Sequence, residues 1–160
     1  IIIKVMIKKI VTLILTLFFI SSLYANEKYN RKSFGYKSYK TSSKIGFYTG
    51  EKCDTNIDHV VSLKDAHISG AKKWTSKLKN RFANDKQNHV FSCIKINSSK
   101  GSYTPDVFLR RGSDGKGLEY KIINPCKYLK IYYTIKMKYN LSFDNNNLAL
   151  FKNCLIDKNN

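Results

Sequence analysis

The period of the hydrophobic positions changes along the chain, and that change predicts an α+β domain. From Asn56 to Leu63 the apolar residues Ile57, Val60, Val61 and Leu63 favour extended backbone, which predicts a short strand. Over Lys64 to Trp74 the spacing becomes helical, with Ala66, Gly70, Ala71 and Trp74 able to share one face. Thr75 to Asn84 continues helically, with Leu78 and Phe82 four residues apart. Trp74 and Phe82 read as core. Asn84 to Asn88, including Asp85, is turn chemistry, because short amide and carboxylate side chains bond their own backbone. His89 to Ile96 then predicts a second strand through Val90, Phe91, Ile94 and Ile96, and Asn97 to Ser102 another turn. Thr104-Pro105-Asp106 opens a short helix through Leu109, and Arg110 to Gly117 reads as a charged, glycine-containing loop. Pro125 to Tyr139 and residues 144–154 predict two further helices. Upstream, Asn26 to Ser43 has no apolar period and reads as a flexible, loosely packed arm. Ile45 to Gly50 suits a strand or a turn.

The first 25 residues follow a different logic. Lys8 and Lys9 precede an apolar run from Ile10 to Ile20, and Ser21-Ser22-Leu23-Tyr24-Ala25 supplies small residues for cleavage after Ala25. The run is too short to span a bilayer comfortably, so it predicts a removed export signal. The expected organisation is a signal peptide over 1–25, a basic arm over 26–44 and one domain over 45–160. The expected destination is the periplasm or the outside of a bacterial cell, with the chain a monomer.

Charge narrows the choice of partner. The formal net charge is +18, and removing Lys4, Lys8 and Lys9 with the signal still leaves +15. Such a balance draws polyanions, either nucleic acid or anionic lipid. Lys72-Lys73 and Arg110-Arg111 are candidate phosphate contacts. A hydrophobic content of 42% excludes a disordered basic tail. Cys53, Cys93, Cys126 and Cys154 are an even set in an exported chain, which favours disulfides in one of three pairings. Cys126 with Cys154 is favoured because both flank one C-terminal segment, which leaves Cys53 with Cys93. No Cys-x-x-Cys spacing is present, so a zinc knuckle is not expected.

Asp58-His59 is the first candidate for chemistry. Hydrolysing a phosphodiester needs a deprotonated water and charge relief at phosphorus and at the leaving oxygen. An imidazole can take the water's proton, and a carboxylate suits a hard cation. Neighbouring strand residues point to opposite faces, so both side chains can serve one site only at a bend or a strand end.

The wider pattern resembles a known family. Asp-His-Val-Val-x-Leu at Asp58 to Leu63, Ser-Gly-Ala-x-x-Trp at Ser69 to Trp74, Phe-Ala-Asn-Asp at Phe82 to Asp85 and Asn-x-Ser-Lys-Gly at Asn97 to Gly101 ahead of Pro105 look like the exported HNH endonucleases. Relatives of that family include the C-terminal domain of GmrSD-type restriction enzymes. Ala66, the Cys126 and Tyr128 pair, Lys136, Tyr139-Asn140-Leu141 and Cys154 extend the similarity over roughly residues 49–155. The resemblance implies a small β-hairpin plus helix (ββα-metal) core with flanking helices, stapled by disulfides. It implies His59 as general base, Asn88 as the residue orienting the histidine-bearing loop, Asp58 and Asn97 as ligands of a divalent Mg2+ or Mn2+, and Lys100 meeting a phosphate or stabilising charge. Asn88 and Asn97 also suit simple turn roles, and His67 and His89 read as non-catalytic. Two positions depart from the family pattern, Ser62 where proline is common and Ser102 where aspartate is common. The implied activity is cleavage of DNA, with RNA as a further substrate, and with little sequence specificity. The alternative is a non-catalytic cationic periplasmic protein for nucleic-acid binding or DNA uptake.

Overall fold

Two short strands organise the domain. In the computed structural model, which describes residues 28–113, 115 and 118–155, β1 (Thr55–His59) pairs antiparallel with β2 (His89–Cys93). The register runs from Thr55 opposite Cys93 to His59 opposite His89. Between the strands lie α1 (Leu63–Ile68), a 3-10 turn at Ala71–Lys73, α2 (Ser76–Ala83) and a second such turn at Lys86–Asn88. Directly after β2 comes α3 (Ile94–Lys100), then α4 (Pro105–Arg111), α5 (Pro125–Lys138) and α6 (Ala149–Leu155). This is an α+β domain with a two-stranded antiparallel sheet. The export segment expected over 1–25 lies outside the described residues. No helix among the described residues is long and apolar enough to cross a membrane.

Where boundaries differ from expectation, a cap or a buried face explains the difference. β1 ends at His59 and does not continue to Leu63, because Ser62 caps α1 by accepting the Asp65 amide at 3.0 Å. The single helix expected over Lys64 to Trp74 breaks after Ile68, where Gly70 takes a φ of 136°. The largest correction concerns residues 94–100. β2 stops at Cys93, and most of the segment expected as a turn is the helix α3. Ile96, Ser99 and Lys100 stand three and four residues apart and bury one face, while Asn97 and Ser98 border an open hollow. The Asn-Ser-Ser composition argued locally for a turn, and packing of the opposite face overrides it.

The core is aromatic. Phe34, Tyr48, Phe82, Phe108, Tyr128 and Tyr132 are all buried, with Tyr48 edge-on to Phe108 at 5.0 Å and to Tyr128 at 5.4 Å. Each such ring contributes about 1.5–3 kcal/mol of burial. Trp74 packs on Phe82 at 5.5 Å, as a core residue. A buried polar cluster ties α1 to α5. Lys136 Nζ reaches Ser69 Oγ at 2.8 Å and the Asp65 carboxylate at 3.3 Å, and Tyr132 donates to Asp65 at 2.6 Å.

Both disulfides form as expected. Cys53–Cys93 ties the segment leading into β1 to the end of β2, and Cys126–Cys154 joins α5 to α6. The expectation of a loose arm is corrected, because residues 29–41 dock on the domain. Phe34 is fully buried against Phe82 at 6.3 Å. Asn80 Nδ2 donates to the Gly35 carbonyl at 2.9 Å, and Asn84 Oδ1 accepts the Lys37 amide at 2.9 Å. Gly35 is left-handed, with a φ of 58°, and a Cβ there would meet the Asn80 amide at 2.6 Å. The arm thus reaches α2 through one ring and a glycine corner that the polar composition concealed.

Candidate functional site

His59 is the last residue of β1, which resolves the alternation problem. Asp58 turns inward to the core while His59 turns to the opposite face, and both border the same hollow at the strand's end. His59 Nε2 donates to the Ala83 carbonyl at 2.8 Å. His89, opposite in the sheet, donates from its own Nε2 to that carbonyl at 3.0 Å. One carbonyl oxygen has two lone pairs, so it serves both rings. The His59 tautomer this bond requires leaves Nδ1 with its lone pair. The His89 ring stands 4.6 Å from His59, edge to face, and Tyr36 of the arm lies 4.6 Å from His59 and 5.7 Å from His89. Burial lowers the His59 pKa to about 3, opposed by the Ala83 hydrogen bond, and the ring is therefore neutral at pH 7.

Asp58 is held by two donors. The Tyr48 hydroxyl donates to one carboxylate oxygen at 2.6 Å, and Lys100 Nζ lies 3.0 Å from each oxygen. Burial pushes the Asp58 carboxyl upward, against the pull of Lys100 and Tyr48. Burial likewise raises Tyr48 well above its ordinary range, so it remains a donor. Lys100 is 0% exposed and also donates to the His59 carbonyl at 2.8 Å. Of the two roles expected of Lys100, a phosphate contact or the stabilisation of charge, this burial speaks against the first. Its ammonium faces Asp58 and the His59 backbone, where it positions both.

Asn88 is buried beneath the loop that follows His59. Its Oδ1 accepts the Val61 amide at 2.8 Å, its Nδ2 donates to the Val61 carbonyl at 3.0 Å, and its own carbonyl accepts the Val60 amide at 2.8 Å. Three bonds to two consecutive residues fix the chain as it leaves His59. Asn97, on α3, crosses to β1: its Nδ2 donates to Asn56 Oδ1 at 2.7 Å and to the Ile57 carbonyl at 3.4 Å. Both amide hydrogens are thereby engaged, and Asn97 Oδ1 stays outside these bonds.

Asp58, His59 and Asn97 line one hollow of about 390 Å3, together with Ser98, Gly101 and Ser102. The lining residues with side-chain oxygens are Asp58, whose carboxylate Tyr48 and Lys100 already hold, Asn97, and the hydroxyl residues Tyr29, Ser62, Ser98 and Ser102; oxygen atoms of this kind suit a hard divalent cation that retains several waters. Among the described residues no group of three or more His, Cys, Asp or Glu gathers; the two residues expected as ligands, Asp58 and Asn97, both line the hollow, with Asp58 paired to Lys100 at 3.0 Å. The four cations singled out from charge runs are elsewhere. Lys72 and Lys73 occupy the 3-10 turn after Gly70, Arg110 bonds the Asp106 carbonyl and Arg111 bonds Ser99 Oγ; none of the four lines the hollow. Arg31 and Lys64 do line it.

Sequence reasoning missed Arg31 and Tyr48, which come from segments without a chemical motif, and Asn56, which lies in β1 beside the Asp58-His59 pair. Asn56 stands two residues before Asp58, hence on the same face of the strand, and that spacing was the one available signal. Asp85 belongs to the turn as expected, accepting the Gln87 amide at 3.0 Å and pairing with Lys138 at 2.6 Å.

No protein-family profile matches the chain, and no solved structure matches it. A stretch of 55 residues is 40% identical to an uncharacterized secreted protein of Arthroderma benhamiae. The matched stretch is 33% of this chain and 27% of that protein, so the similarity spans about a quarter of the relative's length.

Proposed function

We propose that this chain is an exported, metal-dependent endonuclease of the HNH type that hydrolyses phosphodiester bonds of DNA, and of RNA as a second substrate, with little sequence selectivity. The observation that carries this reading is the convergence of Asp58, His59 and Asn97 on one hollow, from the end of a strand and from the helix that follows its partner strand. On this reading β1, β2 and α3 are the ββα-metal unit, and the segment between the strands is an insertion into it.

The residues divide the work by position. His59 Nδ1 accepts the proton of the attacking water, and the Ala83 carbonyl, already bonded to Nε2–H, stabilises the positive ring that results. Lys100 and Tyr48 hold the Asp58 carboxylate, and Asn56 holds the Asn97 amide. Asn88 keeps the loop after His59 from shifting. A Mg2+ or Mn2+ ion held by Asp58 and Asn97 would supply the charge that stabilises the phosphorane and its leaving oxygen. The excess of cations attracts the backbone of any sequence, and no base-reading motif is present in the chain. Two disulfides and the similarity to a protein described as secreted support an extracellular setting.

Plasmid nicking tests the reading. Protein stripped with EDTA is expected to leave supercoiled plasmid intact, and added Mg2+ or Mn2+ is expected to restore conversion to nicked and linear forms. Cleavage that persists in chelator would remove the metal from the reading. Binding without cleavage under any metal would favour the cationic nucleic-acid-binding protein.

A further inference from the structure

We infer that Arg31, delivered by the docked N-terminal arm, is a substrate-binding residue whose guanidinium engages the phosphate presented to His59. The inference deepens the nuclease reading and rests on it for the identity of the substrate.

The arm is built to hold this side chain in place. Asn30 caps the 3-10 turn Arg31–Phe34 by accepting the Lys32 amide at 2.9 Å. Phe34 anchors the far end of the turn in the core, and Gly35 fixes its exit against Asn80. Between these anchors Arg31 lines the hollow with Asp58, His59 and Asn97. The guanidinium carbon stands 5.9 Å over the Tyr36 ring, and Tyr36 itself lies against His59.

Charge in the hollow favours a phosphate. The only carboxylate among its lining residues, Asp58, already faces Lys100, whereas Arg31 and Lys64 bring two cations. Lys64 is a point charge on a flexible stem. Arg31 offers a planar fork of donors that matches two phosphate oxygens at once. A guanidinium is also always charged, so its hold on the phosphate does not vary with the proton that His59 carries. By contrast, Lys72, Lys73 and Arg110 lie outside the hollow, where a phosphate contact would add affinity without touching the reacting group.

The test uses two readouts on the mature chain. In EDTA and in a His59→Ala background, binding of a short fluorescein-labelled duplex is followed by anisotropy against salt. Arg31→Gln is expected to weaken binding by about 3- to 10-fold and to lower the salt slope by about one. With Mg2+ and an otherwise wild-type site, turnover of thymidine 5′-p-nitrophenyl phosphate, a diester with a single phosphate, is expected to fall by at least about tenfold. Arg31→Lys keeps the charge and is expected to recover part of both, and Lys152→Gln, on the exposed face of α6, is expected to leave the diester turnover unchanged. Turnover and binding of Arg31→Gln equal to those of the parent would overturn the assignment. If the parent turns over no diester in any metal, the nuclease reading fails. Binding then decides Arg31 alone: a loss no larger than that of Lys152→Gln overturns the phosphate contact, and a larger loss supports it.

Discussion

Replacing His59 by alanine is expected to lower plasmid cleavage on the order of a thousandfold while leaving DNA affinity nearly unchanged. His59 is 5% exposed and its Nε2 is bonded to the Ala83 carbonyl, so on the proposed reading deletion removes the base without removing a cation. Ala83 keeps a donor in the variant, because His89 still bonds the same carbonyl. His59→Gln retains more of the side-chain volume and is expected to show the same loss, which separates chemistry from packing. Wild-type rates in both variants would take the imidazole out of the mechanism.

The same group makes two statements about pH. With a pKa near 3, His59 stays in its basic form through pH 5, and the acid limb of the rate profile is expected well below the usual 6.5 of histidine. Stability moves the other way as pH falls. Below 6.5 the unfolded chain binds a proton that native His59 refuses, so the fold loses up to about 1.4 kcal/mol per pH unit at this site until pH 3 is approached. Thermal denaturation of wild type and His59→Gln across pH 4–7 reads this difference in slope.

Lys100→Met is expected to cost about 3–5 kcal/mol of stability, because it strands the Asp58 carboxylate in the core without its counter-charge. Lys100 is wholly buried, and its three short contacts all go to Asp58 and the His59 carbonyl. The salt dependence of DNA binding is expected to keep the wild-type slope, since a buried ammonium releases no phosphate counterion. Urea denaturation and salt titration of binding on the same variant check both. A reduced salt slope with normal stability would return Lys100 to the phosphate.

How far the sequence foretold the site depends on whether a residue acts through its own segment or across space. Asp58 and His59 are legible as a strand pair from the extended residues around them, whereas the strand end at His59 is set by the Ser62 cap of α1, four residues short of the expected Leu63. The turn containing Asn88 was legible from its Asn and Asp content, and the disulfides from the positions of four cysteines. α3 was not legible. Its buried stripe is only Ile96, Ser99 and Lys100, and a serine and a lysine do not announce a core face. Lys100 is inside because Asp58 is, a pairing of residues 42 apart that no local period carries. The docking of the arm is hidden in the sequence for the same reason. Phe34 is one apolar ring in a polar stretch, and what fixes it is Phe82 together with the Asn80 contact to Gly35.

The most direct measurement of the central claim is to soak crystals of the protein with Mn2+ and locate the ion by anomalous scattering. The claim that a strand-end histidine and one hard cation share this hollow requires a peak between the carboxylate of Asp58 and the amide oxygen of Asn97, lost in an Asn97→Ala crystal treated the same way. A peak elsewhere, or an empty hollow in crystals of protein that cleaves plasmid with Mn2+, would contradict it.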